Sequence, residues 1–227
     1  SCDAEQLAAD PSLELAATYL DYLGTPACPA PAFATALYGL ACEYSIRVGG
    51  TVTQLAVSGL GEHVGEALKL VQERIADAQP DEDVLSELKA DMIRSRADAK
   101  MNQRACNRAL QNYVMYGADF VRKTAMSNEA LSAVGSEELL GSLRSLLGKQ
   151  HKILYYGPAS KEELLALLEA AHPIAGALEP LVKSNPVKQL TASRQVVVAP
   201  FTARQFNYMQ YSNRGETLEL SQDPYID

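Results

Sequence analysis

The sequence predicts an α+β domain whose mixed or antiparallel sheet is covered by several helices. Three observations lead there. Apolar residues recur at helical spacing in run after run, two adjoining segments alternate with a period of two, and a glycine pair divides those two segments. The 47% hydrophobic content is enough to build a core for such a domain.

Asp10-Pro11 reads as an N-cap followed by a first-turn proline. Leu13, Ala16, Ala17, Leu20 and Leu23 then repeat at helical spacing until Gly24. A second helix follows Pro31, with Phe33, Leu37 and Leu40 on one face. In the next segment Cys42, Tyr44, Ile46 and Val48 point one way, and Glu43, Ser45 and Arg47 the other. Gly49-Gly50 follows, and Thr51 to Val57 alternates again. Paired glycines between alternating β-formers mark a hairpin, because both central positions of a tight turn need positive φ.

Val64, Ala67, Leu68, Val71 and Ile75 form a third amphipathic helix that stops before Pro80. Asp81 caps a long helical stretch through Val84, Leu85, Leu88 and Met92, which reaches about Tyr116 with room for a break. Gly117 opens a loop, and Ser136-Glu137-Glu138 starts another helix. Ile153 to Tyr156 reads as a short strand ended by Gly157-Pro158. Ser160 and Glu163 have the spacing of a capping box, in which each side chain satisfies the other's backbone N–H. The helix it opens runs to about Ala171. Residues 1–172 are thus one α+β domain. Pro173, Pro180 and Pro186 make 173–194 a linker, and strand-like segments at 195–199 and 206–212 make 195–227 a β-strand tail.

Charge and composition remove several function classes. With 20 basic and 28 acidic residues the net charge is -8, the wrong sign for a phosphate backbone. No apolar run is long enough to span a bilayer. The four cysteines form no CxxC pair and read as small buried residues or free thiols rather than a zinc knuckle. A Cys28–Cys42 disulfide stays open, and with it the compartment.

The candidate chemical residues are scattered. His63-Val64-Gly65-Glu66 matches half of an H-x-x-E-H motif, but Ala67 stands at the fifth position, and a catalytic zinc needs three protein ligands. His63 therefore reads as a solvated first-turn histidine, and His151 and His172 as boundary residues. No nucleophile elbow, Walker loop or dinucleotide fingerprint is present, and Gly59-Leu60-Gly61 reads as a plain strand-to-helix turn. The Glu82–Asp83 and Glu137–Glu138 pairs sit where they oppose a helix dipole.

Four segments, in order, carry a resemblance: LAATYLDYLGT (15–25), LAVSGLGEHVGEALKLVQE (55–73), PDEDVLSELKADMIRSR (80–96) and KILYYGPASKEELLALL (152–168). Together they resemble the repeating domain of the insulinase/pitrilysin zinc metallopeptidases, whose relatives include the mitochondrial processing peptidases. The resemblance implies a processing-peptidase-like α+β sandwich. It also implies a parent built from repeats of this domain, with two halves closing on a chamber and zinc held in one domain only. In the active repeat the first helix bears H-x-x-E-H and a later helix adds a glutamate ligand. At the matching positions this chain has Thr18 and Tyr22 for the histidines, Asp21 for the base, and Asp91 or Met92 for the downstream ligand.

The resemblance is therefore to a degenerate repeat, the third of four, followed by the opening strands of the next. It implies no metal, cofactor or catalytic residue in this chain, and zinc in the catalytic domain of a parent endopeptidase. The implied partners are that domain, in the same or a second chain, and a peptide substrate, with no nucleic acid and no membrane span. Two other readings stand beside it: an inactive relative serving as an assembly scaffold, and an unrelated small-molecule enzyme gathering Asp21, Tyr22 and Asp91. Because positions 18, 21 and 22 share a helix face, a polar cluster against the long helix is expected. The tail strands are expected to dock on the sheet.

Overall fold

The computed structural model describes residues 10–49, 52–118, 124–174, 176–180 and 195–202. Its elements are α1 (Leu13–Leu20), α2 (Ala30–Gly39), β1 (Cys42–Val48), β2 (Thr53–Gly59), α3 (Val64–Asp77), α4 (Glu82–Ala99), α5 (Gln103–Tyr116), α6 (Asn128–Ala133), α7 (Ser136–Leu147) and α8 (Lys161–Ala171). The α+β class is as expected.

The hairpin sets the sheet. β1 and β2 pair antiparallel from Cys42↔Gly59 to Val48↔Thr53. Gly49 N–H donates to the Val52 carbonyl at 2.9 Å, so the described ladder reaches the residues that flank positions 50 and 51. Those two positions lie outside the described residues. β2 accordingly starts at Thr53 rather than Thr51 and runs to Gly59. Gly59 has φ +150°, and a Cβ there would stand 2.7 Å from Cys42 Cα, so glycine is required at the open end of the hairpin. Cys42 is buried and Tyr44, Ile46 and Val48 pack on the core, while Glu43 and Arg47 are exposed.

Helices cover this ribbon. α1 packs on α7, β1 and α4, and α3 packs on both strands, α7 and α8. Tyr19, Leu15, Leu20, Val71, Leu85, Leu131, Leu139, Leu140 and Leu143 are fully buried where these helices meet. Each such leucine stabilises the fold by about 2 kcal/mol through apolar area removed from water.

Local chemistry sets the helix boundaries. α1 starts at Leu13, with Ser12 rather than Asp10 as its N-cap. The Asp10 carboxylate instead accepts from Ser12 N–H at 2.9 Å and Ser12 Oγ at 2.5 Å, closing a turn that contains Pro11. Burial pushes the Asp10 pKa up, but hydrogen bonds from Ser12 and Ser142 outweigh it and hold the group below its ordinary range. The long helix breaks at Lys100–Asn102, because Asn102 Oδ1 accepts from Ala105 N–H at 3.1 Å and caps a new helix. Asp81 caps α4 as expected, accepting from Asp83 and Val84 N–H.

The expected strand at 153–156 does not form among the described residues, and Ile153, Leu154 and Tyr156 are exposed. A strand exists only where a partner backbone is in register. Pairing here falls earlier, with Gln150 N–H on the Glu179 carbonyl and Glu179 N–H on the Gly148 carbonyl, both 2.8 Å. The first part of the expected linker is thereby tied to the domain. Residues 195–202 form no strand among the described residues, and the 206–212 segment lies outside them. Cys28, Cys42 and Cys106 are free thiols, so the Cys28–Cys42 bridge is not formed. No described helix is long and apolar enough to cross a membrane.

α8 opens with the expected capping box. Ser160 Oγ accepts from Glu163 N–H at 3.3 Å, and Glu163 Oε2 accepts from Ser160 N–H at 2.8 Å. The Ser160 backbone and hydroxyl bonds lower the Glu163 pKa. A carboxylate with a lowered folded pKa contributes stability that is present above its unfolded value and lost as pH falls through the folded value. Amide protection factors in the first turn of α8, corrected for the intrinsic pH dependence of exchange, should therefore fall on acidification below the ordinary glutamate range. Ser160→Ala should show lowered protection already at neutral pH and remove most of that pH dependence.

Candidate functional site

The residues at the motif positions lie at the C-terminal end of α1. Thr18 is exposed, and its hydroxyl donates to the Glu14 carbonyl one turn back at 3.0 Å. Tyr22 is 59% exposed. The expected polar cluster against the long helix is absent, because the face shared by 18, 21 and 22 looks outward. Tyr19 makes the contact with α4 instead. Its hydroxyl donates to the Asp81 carbonyl at 2.8 Å and accepts from Asp81 N–H at 2.7 Å, joining α1 to the start of α4. Burial first, then the carboxylates of Glu82 and Asp81, push the Tyr19 hydroxyl up in pKa, against the pull of its backbone bond.

Asp21 belongs to a network that sequence reading missed. The Tyr44 hydroxyl on β1 donates to Asp21 Oδ1 at 2.5 Å. Arg74 on α3 donates through Nη1 to the Tyr44 hydroxyl at 3.0 Å, through Nη2 to the Asp21 carbonyl at 2.9 Å, and through Nε to the Leu23 carbonyl at 3.0 Å. The guanidinium lies 4.1 Å over the Phe33 ring, which meets the Tyr44 ring edge-on at 5.6 Å. Burial, reinforced by the Asp21 bond, pushes the Tyr44 hydroxyl far above its ordinary pKa, so it stays a donor. An arginine at the polar edge of an amphipathic helix is an ordinary sight in a sequence. Only the fold shows that Arg74 is 4% exposed.

Asp91 is not part of this network. It is 70% exposed and pairs with Arg94 one turn along α4 at 3.2 Å. A hollow of about 420 Å³ on α4 is lined by Glu82, Ser86, Lys89, Ala90, Ile93 and Ser132, and it takes in none of Asp21, Tyr22 and Asp91. His63 sits at the start of α3, 3.7 Å from Glu62. The other two histidines, read from the sequence as unrelated boundary residues, come together with Nε2 atoms 3.0 Å apart.

The metal motif's chemistry does not fit these residues. Thr18 and Tyr22 offer hydroxyls where imidazoles are needed, and the Asp21 carboxylate is already engaged by Tyr44. Among the described residues no group of three or more His, Cys, Asp or Glu side chains has the arrangement of a metal site.

No protein-family model matches the chain. No curated protein matches it either. Solved structures do. The chain superimposes on the periplasmic protease PqqL from Escherichia coli with a TM-score of 0.64 and 17% identity, covering 86% of this chain and 22% of that one. A mutant of the ferredoxin protease FusC in complex with Arabidopsis ferredoxin gives 0.61 and 13%, over 82% of this chain and 20% of that one. A peptidase M16 inactive domain from Pseudomonas fluorescens gives 0.50 and 16%, over 63% and 36%. The chain thus spans about a fifth of the length of the two proteases. It carries the α+β fold of an M16 peptidase domain, the fold that the four sequence segments imply.

Two tyrosines three positions apart should respond in opposite ways. Tyr19→Phe should lower stability by about 1–2 kcal/mol, since it leaves the Asp81 backbone groups without their partner. Tyr22→Phe should change it by less than about 0.5 kcal/mol, as expected for an exposed side chain. Urea unfolding midpoints of the two variants check this directly. In the same assay Arg74→Ala should cost about 3 kcal/mol, because it leaves the Asp21 and Leu23 carbonyls without their donor and removes the packing over Phe33.

Proposed function

We propose that the chain is a non-catalytic domain of an insulinase-family zinc metallopeptidase. In this reading it forms part of the wall of the substrate chamber and docks on the catalytic half. One observation carries it. The fold is that of an M16 peptidase domain, yet the helix that bears the metal motif in an active repeat here turns Thr18 and Tyr22 to solvent and ties Asp21 to Tyr44. A domain in that state retains the shape of its active relatives without their chemistry. It adds surface, and surface around a chamber decides which peptides fit.

The rest follows from the same reading. Zinc belongs to the catalytic domain of the parent, in the same chain or a partner chain, and this segment holds none at the motif positions. Residues 173–194 link the domain to 195–227, the opening of the next repeat. The substrate is a peptide or an extended protein segment. The bound ferredoxin in the FusC structure supports a guest of that class.

Peptidase assays on this chain and on the full-length gene product test the reading together. This chain alone should not cleave a mixed peptide library. The full-length product should cleave it, lose activity to a chelator and regain it with zinc. A photo-reactive substrate peptide should then label residues 10–172 within that product. Chelator-sensitive cleavage by this chain alone would contradict the proposal. A full-length product that binds partner proteins but cleaves nothing would favour an assembly scaffold.

A further inference from the structure

His151 and His172 lie 21 residues apart in sequence, yet their Nε2 atoms face each other at 3.0 Å, with ring centroids 5.0 Å apart. Proton bookkeeping gives this contact its meaning. Gln72 on α3 donates through Nε2 to the carbonyl oxygens of Ala171 at 2.7 Å and Leu68 at 3.3 Å. Reversing the amide would set its oxygen against both carbonyls, so Gln72 Oε1 is fixed on the other side, 2.5 Å from His172 Nδ1. An amide oxygen only accepts, so His172 Nδ1 carries hydrogen. His151 Nδ1 lies 2.8 Å from the Lys149 carbonyl and carries hydrogen for the same reason. A neutral imidazole protonated at Nδ1 has a bare lone pair at Nε2. Two bare nitrogens therefore stand 3.0 Å apart, an arrangement that is repulsive unless a proton or a metal ion is shared by them.

We propose that His151 and His172 chelate one divalent transition-metal ion of the imidazole-binding type, such as copper, zinc or nickel. With metal–nitrogen bonds of about 2.0–2.1 Å, a 3.0 Å nitrogen separation sets the N–metal–N angle at about 95°, between the square-planar and tetrahedral values. Both imidazoles donate their other N–H to a carbonyl oxygen, the outer contact that orients metal-bound histidines. The His172 pKa is lowered by burial and then by the charge of His151, which favours the neutral form that binds metal. His151 is exposed, so water fills the remaining positions, and among the described residues no third His, Cys, Asp or Glu side chain completes the group. The site is separate from the motif positions on α1 and does not depend on the proposed peptidase setting. Its effect would be to clamp the 149–151 segment to the end of α8 and, through Gln72, to α3.

Titration of the whole chain with zinc and nickel, followed by calorimetry and histidine NMR, tests this. One ion should bind per chain and shift both the His151 and His172 ring resonances, and copper should give an electron paramagnetic spectrum with two nitrogen couplings. His151→Ala and His172→Ala should each weaken binding by roughly a hundredfold, and Gln72→Ala by about tenfold, within the range seen for outer contacts. Binding that survives unchanged in the double histidine variant belongs to the thiols and overturns the proposal. So does a pair whose ring resonances show a shared proton and do not move with millimolar zinc.

Discussion

A guanidinium removed from water destabilises a fold unless its donors are met and its charge is shared. Arg74 meets those conditions in the middle of this domain. Its donors reach the backbone after α1 at Asp21 and Leu23, its Nη1 reaches Tyr44 on β1, and its flat face rests on Phe33 of α2. One side chain on α3 thereby sets where the first helix ends, where the hairpin lies against it and where the second helix packs. Removing a buried partner of this kind is costly because the groups left behind are stranded. The surrounding leucine core supplies most of the stability, but apolar contact is non-directional. The directional bonds of Arg74 make one arrangement of these elements better than its neighbours.

The positions on α1 that the resemblance singles out divide between two faces. In this helix the inward and outward faces are used for different purposes. Tyr19 turns inward and reaches the first residue before α4, while Thr18 and Tyr22 turn outward. Asp21 is bound across to β1, as the acceptor for Tyr44. A carboxylate held in that way helps position a strand.

Much of the fold was legible because it rests on short-range rules. The helices at 64–77, 136–147 and 161–171 follow from apolar spacing and caps, and the hairpin from alternation around glycine. The errors arose where a local signal had a competitor. Asp10 has the chemistry of a cap but bonded Ser12 instead. Ile153 to Tyr156 has strand composition, but the backbone that pairs with this stretch meets it at Gly148 and Gln150. The surroundings of Thr18, Asp21 and Tyr22 were not legible. Arg74 and Tyr44 sit 30 residues apart, and nothing local to either announces the other. The histidine pair was hidden for the same reason.

Helix α5 contributes no fully buried side chain to the leucine core. It has its own cap at Asn102 and follows a break in the long helix. A substitution there leaves the leucine core and the Arg74 bonds as they were, so its effect on folding is small. Selection on such a helix is therefore freed from the demand of keeping the domain folded. Over generations its surface can wander, or be retuned toward whatever it touches, while α1, α3 and the hairpin are held nearly still. Divergence within a lineage of such domains should concentrate there first.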